Sequence, residues 1–389
     1  MVLALRPRIV AALLGLFALL PAPLGAGMTP QEVKAFEGYK VKAEKGDAVA
    51  QFQTGCCYDF SDGVAKDYVE AVVWYSKAAM QGNAEAQYNL GLCYYKGEGL
   101  AKDQVEAIKW WRKAADQGNA QAQYNLGVCY YKGEGLAKDQ VEAVKWWRKA
   151  AERGHAQAQY FLGFCYEVGE GVAKYQAEAV ALYRKASMQG FAPAKFRLGV
   201  CFEAGAGVFK NQEEAFALYR EAAALGHAQA WTRLGLCYAN GQGVEKDLVR
   251  AARHFHKAAE QGNAPAQFNL GVCYDNGDGV SKDLVEAVRW YRKAAEQGHA
   301  EAQYNLGSCY DNGDGVAKDE IEAYAYWNLS GITFEEARKR RASLEKKMSP
   351  DARLLGQQRT KQLQKEIEGR LETAEEVRKA IDKERSKGA

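Results

Sequence analysis

Proline is scarce, at 7 residues in 389, and neither sign of charge dominates: 52 Lys and Arg against 49 Asp and Glu leave a formal net charge of +3. A chain that grips nucleic-acid phosphate by charge carries a clear basic excess, so this balance argues against that role. After the first 27 residues no apolar run approaches the roughly 20 residues that span a bilayer. Also missing are a serine-nucleophile motif, a phosphate-binding glycine loop and any cluster with metal-ligand spacing. The chain therefore does not read as an enzyme, and no catalytic residue, cofactor or metal ligand is expected. The length would hold two or three ordinary domains, but heavy use of alanine, glycine and tyrosine does not suggest a string of globular units.

The amino terminus stands apart. Arg6 and Arg8 precede an apolar run from Ile9 to Leu20, then Pro21, Pro23 and the small residues Gly25, Ala26 and Gly27. A short basic region, an apolar stretch of about 12 residues and small residues at its exit describe a secretory signal peptide over 1–27. No cysteine follows the expected cleavage point, so no lipid anchor is indicated. The mature protein is expected outside the cytoplasm, periplasmic or secreted.

The dominant feature is a period. Cys57, Cys93, Cys129, Cys165, Cys201, Cys237, Cys273 and Cys309 stand 36 residues apart, and Gly46, Gly82, Gly118, Gly154, Gly190, Gly226, Gly262 and Gly298 keep the same step. Eight units run without a gap over 46–332. Each encodes two helices. In the unit that opens at Gly82, Asn83 is placed to cap the first helix, along which Ala86, Leu90 and Tyr94, with Gly91 beside them, form one apolar stripe. Pro193 and Pro265 fall in the first turn of their helices, where a missing N–H does no harm. Gly97 and Gly99 end the helix and permit positive φ.

Asp103 starts the second helix, and Glu106 is spaced to reach back to the cap's own N–H; Asp67/Glu70, Asp139/Glu142, Asp283/Glu286 and Asp319/Glu322 repeat the pair. Ala107, Trp110, Trp111, Ala114 and Ala115 form its buried face. A two-helix unit cannot bury that face alone, so stacking should produce a continuous core with an inner and an outer wall. Residues 28–45 read as an N-terminal capping helix.

The pattern A-x-x-x-L-G-x-x-Y-x-x-G-x-G-V-x-K-D-x-x-E-A-x-x-W-Y-x-K-A-A-x-Q-G resembles the Sel-one-like repeat, a relative of the tetratricopeptide repeat; residues 262–297 match it almost throughout. The resemblance implies an all-α fold, a right-handed α/α superhelical solenoid of eight 36-residue helix-pair repeats with a helical C-terminal extension. It also implies an adaptor or scaffold that assembles proteins at the bacterial cell envelope. Cysteine-rich relatives are described as penicillin-binding with weak β-lactamase activity, which makes an enzyme of that type the alternative; they carry two cysteines per repeat, whereas this chain carries one at a different position.

Equivalent cysteines on stacked units should lie near 10 Å apart, beyond the roughly 7 Å that a disulfide bridges. They are expected as small packed residues. His155, His227 and His299 occupy the cap position of Asn83; His254 and His256, two apart on a helix, do not share a face.

Positions that depart from the repeat while lining its inner wall are the candidate partner-binding residues. One position reads Gln53, Asn89, Asn125, Phe161, Arg197, Arg233, Asn269, Asn305, and Phe164, with Val200 and Leu236, adds apolar area three residues along. Spare amide donors and acceptors at regular spacing suit an extended peptide; Phe161 beside Arg197 and Arg233 suits an acidic segment. The expected partner is a protein or peptide. After Ile332, Thr333, Ser349 and Thr373 look like helix starts over a charged helical C-terminal cap and tail, 333–389. Its seam of Leu363, Ile367, Leu371, Ala374, Val377 and Ile381 is a candidate for weak self-association. Its 16 Lys and Arg against 11 Asp and Glu are a candidate contact with anionic envelope polymers, the third reading.

Overall fold

The computed structural model describes residues 28–388, with side chains described through Thr373. The expected signal peptide lies outside the described residues. Among these residues there are 19 helices and no strand, divided between two compact units, 28–191 and 192–388.

In the first unit α1 (Pro30–Glu44) precedes four helix pairs. These are α2 (Ala48–Phe60) with α3 (Tyr68–Met80), α4 (Ala84–Lys96) with α5 (Gln104–Asp116), α6 (Ala120–Lys132) with α7 (Gln140–Glu152), and α8 (Ala156–Val168) with α9 (Gln176–Met188). The second unit holds α10 (Ala192–Ala204) with α11 (Gln212–Ala224), α12 (Ala228–Asn240) with α13 (Leu248–Glu260), α14 (Ala264–Asn276) with α15 (Leu284–Ala295), and α16 (Ala300–Asn312) with α17 (Glu320–Ser330). Two further helices follow, α18 (Glu335–Glu345) and α19 (Pro350–Gly388). Within each unit the two helices of a pair pack together, and each second helix packs on the next first one.

The caps follow from local chemistry. Asn83 Oδ1 accepts from the Ala86 N–H at 2.9 Å, and α4 ends where Gly97, at φ 78°, donates its N–H to the Cys93 carbonyl. Asp103 accepts from the Glu106 N–H at 3.0 Å. The reciprocal arm expected from Glu106 does not form. The Asp103 N–H instead donates to the Tyr94 carbonyl at 2.8 Å, tying the connection to α4. Glu106 is thereby released to pair with Lys109 at 2.8 Å, and Glu142 with Lys145 at 2.6 Å. Tyr175 caps α9 without a side-chain bond.

Close approach within a pair rests on the helical glycine. A Cβ on Gly91 would stand 2.5 Å from Trp111 Cδ1 and Nε1 and 3.1 Å from the Ala107 carbonyl oxygen. Its absence lets Trp111 lie across α4, 2 % exposed, with Nε1 donating to the Tyr88 carbonyl at 3.2 Å. Between repeats, a buried glutamine in the first turn of the first helix donates Nε2 to the end of the preceding second helix. Gln87 reaches the Ala79 carbonyl and Gln123 the Ala115 carbonyl, at 3.1 and 3.0 Å. Gln51 makes the same bond to Ala43 of α1 at 3.1 Å, so α1 stands to the first repeat as a second helix stands to the next.

The large ring of the second helix and one residue of the first vary together. Where the ring is tyrosine, its hydroxyl meets an acid: Tyr75 donates to Asp59 at 3.1 Å, Tyr291 to Asp275 at 3.2 Å, and Tyr183 and Tyr219 to Glu167 and Glu203. Where it is Trp111 or Trp147, the acid is replaced by Tyr95 or Tyr131, whose ring packs on the indole at 5.3 or 5.5 Å. Where it is Phe255, the partner position is Ala239. A buried hydroxyl needs an acceptor and a phenyl ring does not, which accounts for the pairing. The eighth repeat, with Trp327 and Asp311, departs from it.

The C-terminal helices correct two expected boundaries. Helix α18 starts after Phe334, which packs edge-on against Tyr304 at 5.0 Å, so Thr333 is not its cap. Thr373 starts nothing: α19 continues through it, and its hydroxyl donates to the Gly369 carbonyl at 2.8 Å, the back-bond of a threonine inside a helix. Ser349 does cap α19, accepting from the Ala352 N–H at 3.1 Å. Helix α19 lies on α17. Leu363 is buried against Tyr326 and Leu329, Arg359 pairs with Glu322 at 2.6 Å, and Arg370 pairs with Glu296. The first part of the apolar seam thus covers the last repeats, while Leu371 is 48 % exposed.

Candidate protein-binding surface

All eight candidate partner-binding residues sit half-buried on first helices. Asn89, Asn125, Phe161 and Phe164 belong to the first unit; Arg197, Arg233, Asn269 and Asn305 belong to the second. They recur because 36 residues return the chain to the same place in the next pair.

Their freedom is smaller than the sequence implies. The Asn125 side chain faces the Tyr88 hydroxyl of the preceding repeat, and Asn305 faces that of Tyr291 in the same way. Asn269 Nδ2 donates to the Pro265 carbonyl at 2.8 Å. Phe161, expected to be free of packing duty, stacks on Trp147 at 5.2 Å and meets Tyr160 edge-on at 5.3 Å. Arg233 lies 3.5 Å from Glu203, the acid that receives the Tyr219 hydroxyl. The charge of Arg197 acts on His227, adding to the burial that lowers the imidazole pKa. What the row offers a partner is therefore the outer edge of a packed surface, with amide, aromatic and guanidinium groups already oriented. The Tyr–acid pairing that engages Arg233 was overlooked in the sequence, although comparison of the two positions across the repeats would have revealed it.

The remaining reactive groups are buried. All nine cysteines are free thiols. Burial pushes the pKa of Cys93, Cys129, Cys165 and Cys309 up to about 12, and that of Cys237 and Cys273 up to about 11. A thiol so far from ionising is a weak nucleophile. His155 and His299 cap their helices through Nδ1, at 3.2 and 3.4 Å from the Ala158 and Ala302 nitrogens, whereas His227 makes no such bond. Burial lowers the His155 pKa to about 4. His254 stacks between Trp231 and Tyr238 at 5.4 and 5.3 Å. Among the described residues no three His, Cys, Asp or Glu converge as metal ligands, and no helix is long and apolar enough to cross a membrane.

A family model for the Sel1 repeat matches residues 48–83, 84–119, 120–155, 156–191, 192–227, 228–263, 264–299 and 300–331. The chain belongs to the Sel1 repeat family. The first seven matches end at or next to the cap residue of the following pair and the eighth ends at Gly331, the C-cap of α17, so the family's frame and the helix pairs coincide. Among solved structures, a protective antigen of uropathogenic Escherichia coli displaying an SLR fold is similar at 31 % identity and a TM-score of 0.61, covering 87 % of this chain and 81 % of its own. A Sel1 repeat protein from Oxalobacter formigenes is similar at 35 % identity and a TM-score of 0.58, covering 63 % of this chain and 96 % of its own. No curated protein matches the chain. Sel1 repeats commonly serve as protein-interaction scaffolds.

Proposed function

We propose that this Sel1 repeat protein is an exported, non-catalytic scaffold of the bacterial cell envelope. It binds a protein or peptide along the first helices of its repeats. The observation that carries the reading is the 36-residue row in which Asn89 and Asn125 give way to Phe161 in the first unit, and Arg197 and Arg233 give way to Asn269 and Asn305 in the second, always at the same place on a first helix. A half-buried position whose residue type changes from repeat to repeat leaves an outer edge that a partner can select, beside the packing the inner edge already serves. Export is supported by the basic, apolar and small-residue order of 1–27. The non-catalytic reading is supported by burial, which raises the thiol pKa of Cys57, Cys93, Cys129, Cys165, Cys237, Cys273 and Cys309 and leaves these sulfurs weak nucleophiles.

The test is crosslinking in the native host, followed by mass spectrometry of wild type and the triple variant Phe161→Leu, Arg197→Gln, Arg233→Gln. These changes keep most of the local volume. The partner should be lost while the helical signal holds and unfolding stays cooperative, with a lower thermal midpoint because Phe161 also packs on Trp147 and Arg233 on Glu203. A partner retained by the triple variant refutes the surface; nitrocefin turnover above background refutes the non-catalytic reading. Recovery of the chain in the cytoplasmic fraction with residues 1–27 intact refutes export.

A further inference from the structure

Six repeats bury a glutamine in the first turn of the first helix: Gln51, Gln87, Gln123, Gln159, Gln267 and Gln303. In four of them its Oε1 accepts from the Nε2 of a second glutamine 30 residues on, at the end of the second helix. The pairs are Gln51 with Gln81, Gln87 with Gln117, Gln159 with Gln189 and Gln267 with Gln297, all at 2.7–2.8 Å. The arrangement is an internal carboxamide clasp that closes the edge of the repeat.

The third repeat lacks half of it. The residue 30 beyond Gln123 is Arg153, the C-cap of α7. Its guanidinium lies against Gly118, occupying the space a Cβ there would need. Gln123 still donates to the Ala115 carbonyl at 3.0 Å and is only 3 % exposed, yet its Oε1 has no partner. A buried amide oxygen without a donor is costly to leave unmade. Beside it opens a cavity of about 390 Å³ between Ala115 and Asp116 at the end of α5 and Lys149, Glu152 and Arg153 at the end of α7. That volume falls within the range of about 300–1,000 Å³ typical of ligand pockets.

We propose that this cavity is a socket for the carboxamide side chain of an asparagine or glutamine in a bound peptide. The ligand chemistry is read from the sister repeats, which place a carboxamide nitrogen on the equivalent oxygen. The incoming N–H donates to Gln123 Oε1, an atom shielded from solvent in the free chain, so the side chains bordering it shift when the ligand enters. Lys149 supplies donors for the incoming carbonyl, and Asp116 and Glu152 supply acceptors for the flanking peptide N–H groups. None of the row residues of the first helices takes part, so the socket stands or falls apart from the surface proposed above.

The experiment titrates the full chain, followed by backbone and side-chain amide NMR, with Ala-Gln-Ala blocked as the N-acetyl, N-methyl amide. The Glu and Met analogues serve as controls, each taken to roughly 20 mM, well above a millimolar Kd. The glutamine peptide should shift Gln123 and Gly118 saturably while the other two do not. Arg153→Gln, which restores the residue the sister repeats carry, should abolish those shifts and raise the thermal midpoint; Arg153→Ala should keep the shifts. The proposal is overturned by no saturable shift in wild type (an ordered water only), by an equal response to the Glu or Met peptide, or by binding that survives Arg153→Gln.

Discussion

Replacing Gly91 by alanine should destabilise the protein, although the same change elsewhere in a helix should stabilise it. In an exposed helix interior, glycine to alanine gains about 1 kcal/mol from backbone entropy. Gly38 of α1 meets that description: it is exposed, and nothing lies within 4 Å of a Cβ built there. Gly91 does not. The new methyl would stand 2.5 Å from the indole of Trp111, which cannot retreat without breaking its bond to the Tyr88 carbonyl. Overpacking of this kind costs about 1–3 kcal/mol, and an orphaned indole N–H about 1–3 kcal/mol more. Set against the gain of about 1 kcal/mol, the net loss should be about 1–5 kcal/mol. Urea unfolding followed by circular dichroism, with hydrogen exchange to locate the change, reads both variants. Gly38→Ala should raise the midpoint. Gly91→Ala should lower it and speed exchange mainly in α4 and α5, because repeat stability is set by neighbours. A Gly91→Ala protein as stable as wild type would refute the close-packing argument.

Further outcomes can be checked. Burial depresses the pKa of His155 to about 4 and lowers those of His227, His254 and His299. The unfolded chain therefore takes up protons first as pH falls, and stability should drop between about pH 6.5 and 4, with His155 contributing on the order of 2 kcal/mol. Asp59 and Glu85, raised by burial, act in the opposite sense at the acid end; urea midpoints that are flat or rising from pH 6.5 to 5 would contradict the account. Tyr75→Phe should cost about 1–2 kcal/mol by stripping Asp59 of its donor. Adding Asp59→Ala should recover at least half of that, since the sixth repeat carries Phe255 with Ala239. At pH 8 the nine cysteines should resist a thiol reagent in the native chain and all react in urea, because every one is buried.

Period, pairing and caps were legible because each rests on chemistry local to one repeat: Asn83, Asp103, Gly97 and the Ala107–Trp111–Ala114 face all act within 36 residues. The scarcity of proline and the placement of Pro265 at the start of α14 pointed the same way. What escaped was whatever depends on two positions at once. Glu106 looked like the second arm of a capping box, but the Asp103 N–H had a nearer acceptor in Tyr94. Thr373 looked like a start, but nothing in its neighbourhood breaks the helix that already contains it. The candidate row was found by its period, whereas the contacts of Phe161 with Trp147 and of Arg233 with Glu203 join residues 14 and 30 apart. The unpartnered Gln123 oxygen was hidden for the same reason, its missing partner lying 30 residues away at Arg153.

The central claim is that no helix pair holds itself together, and that each is stable only through the faces lent by its neighbours. The most direct measurement is far-ultraviolet circular dichroism with thermal melting of a peptide spanning 118–153, beside the full chain at equal residue concentration. The peptide should show little helix and no cooperative transition, while the chain is strongly helical and melts sharply. A peptide that unfolds cooperatively from a helical state would contradict it.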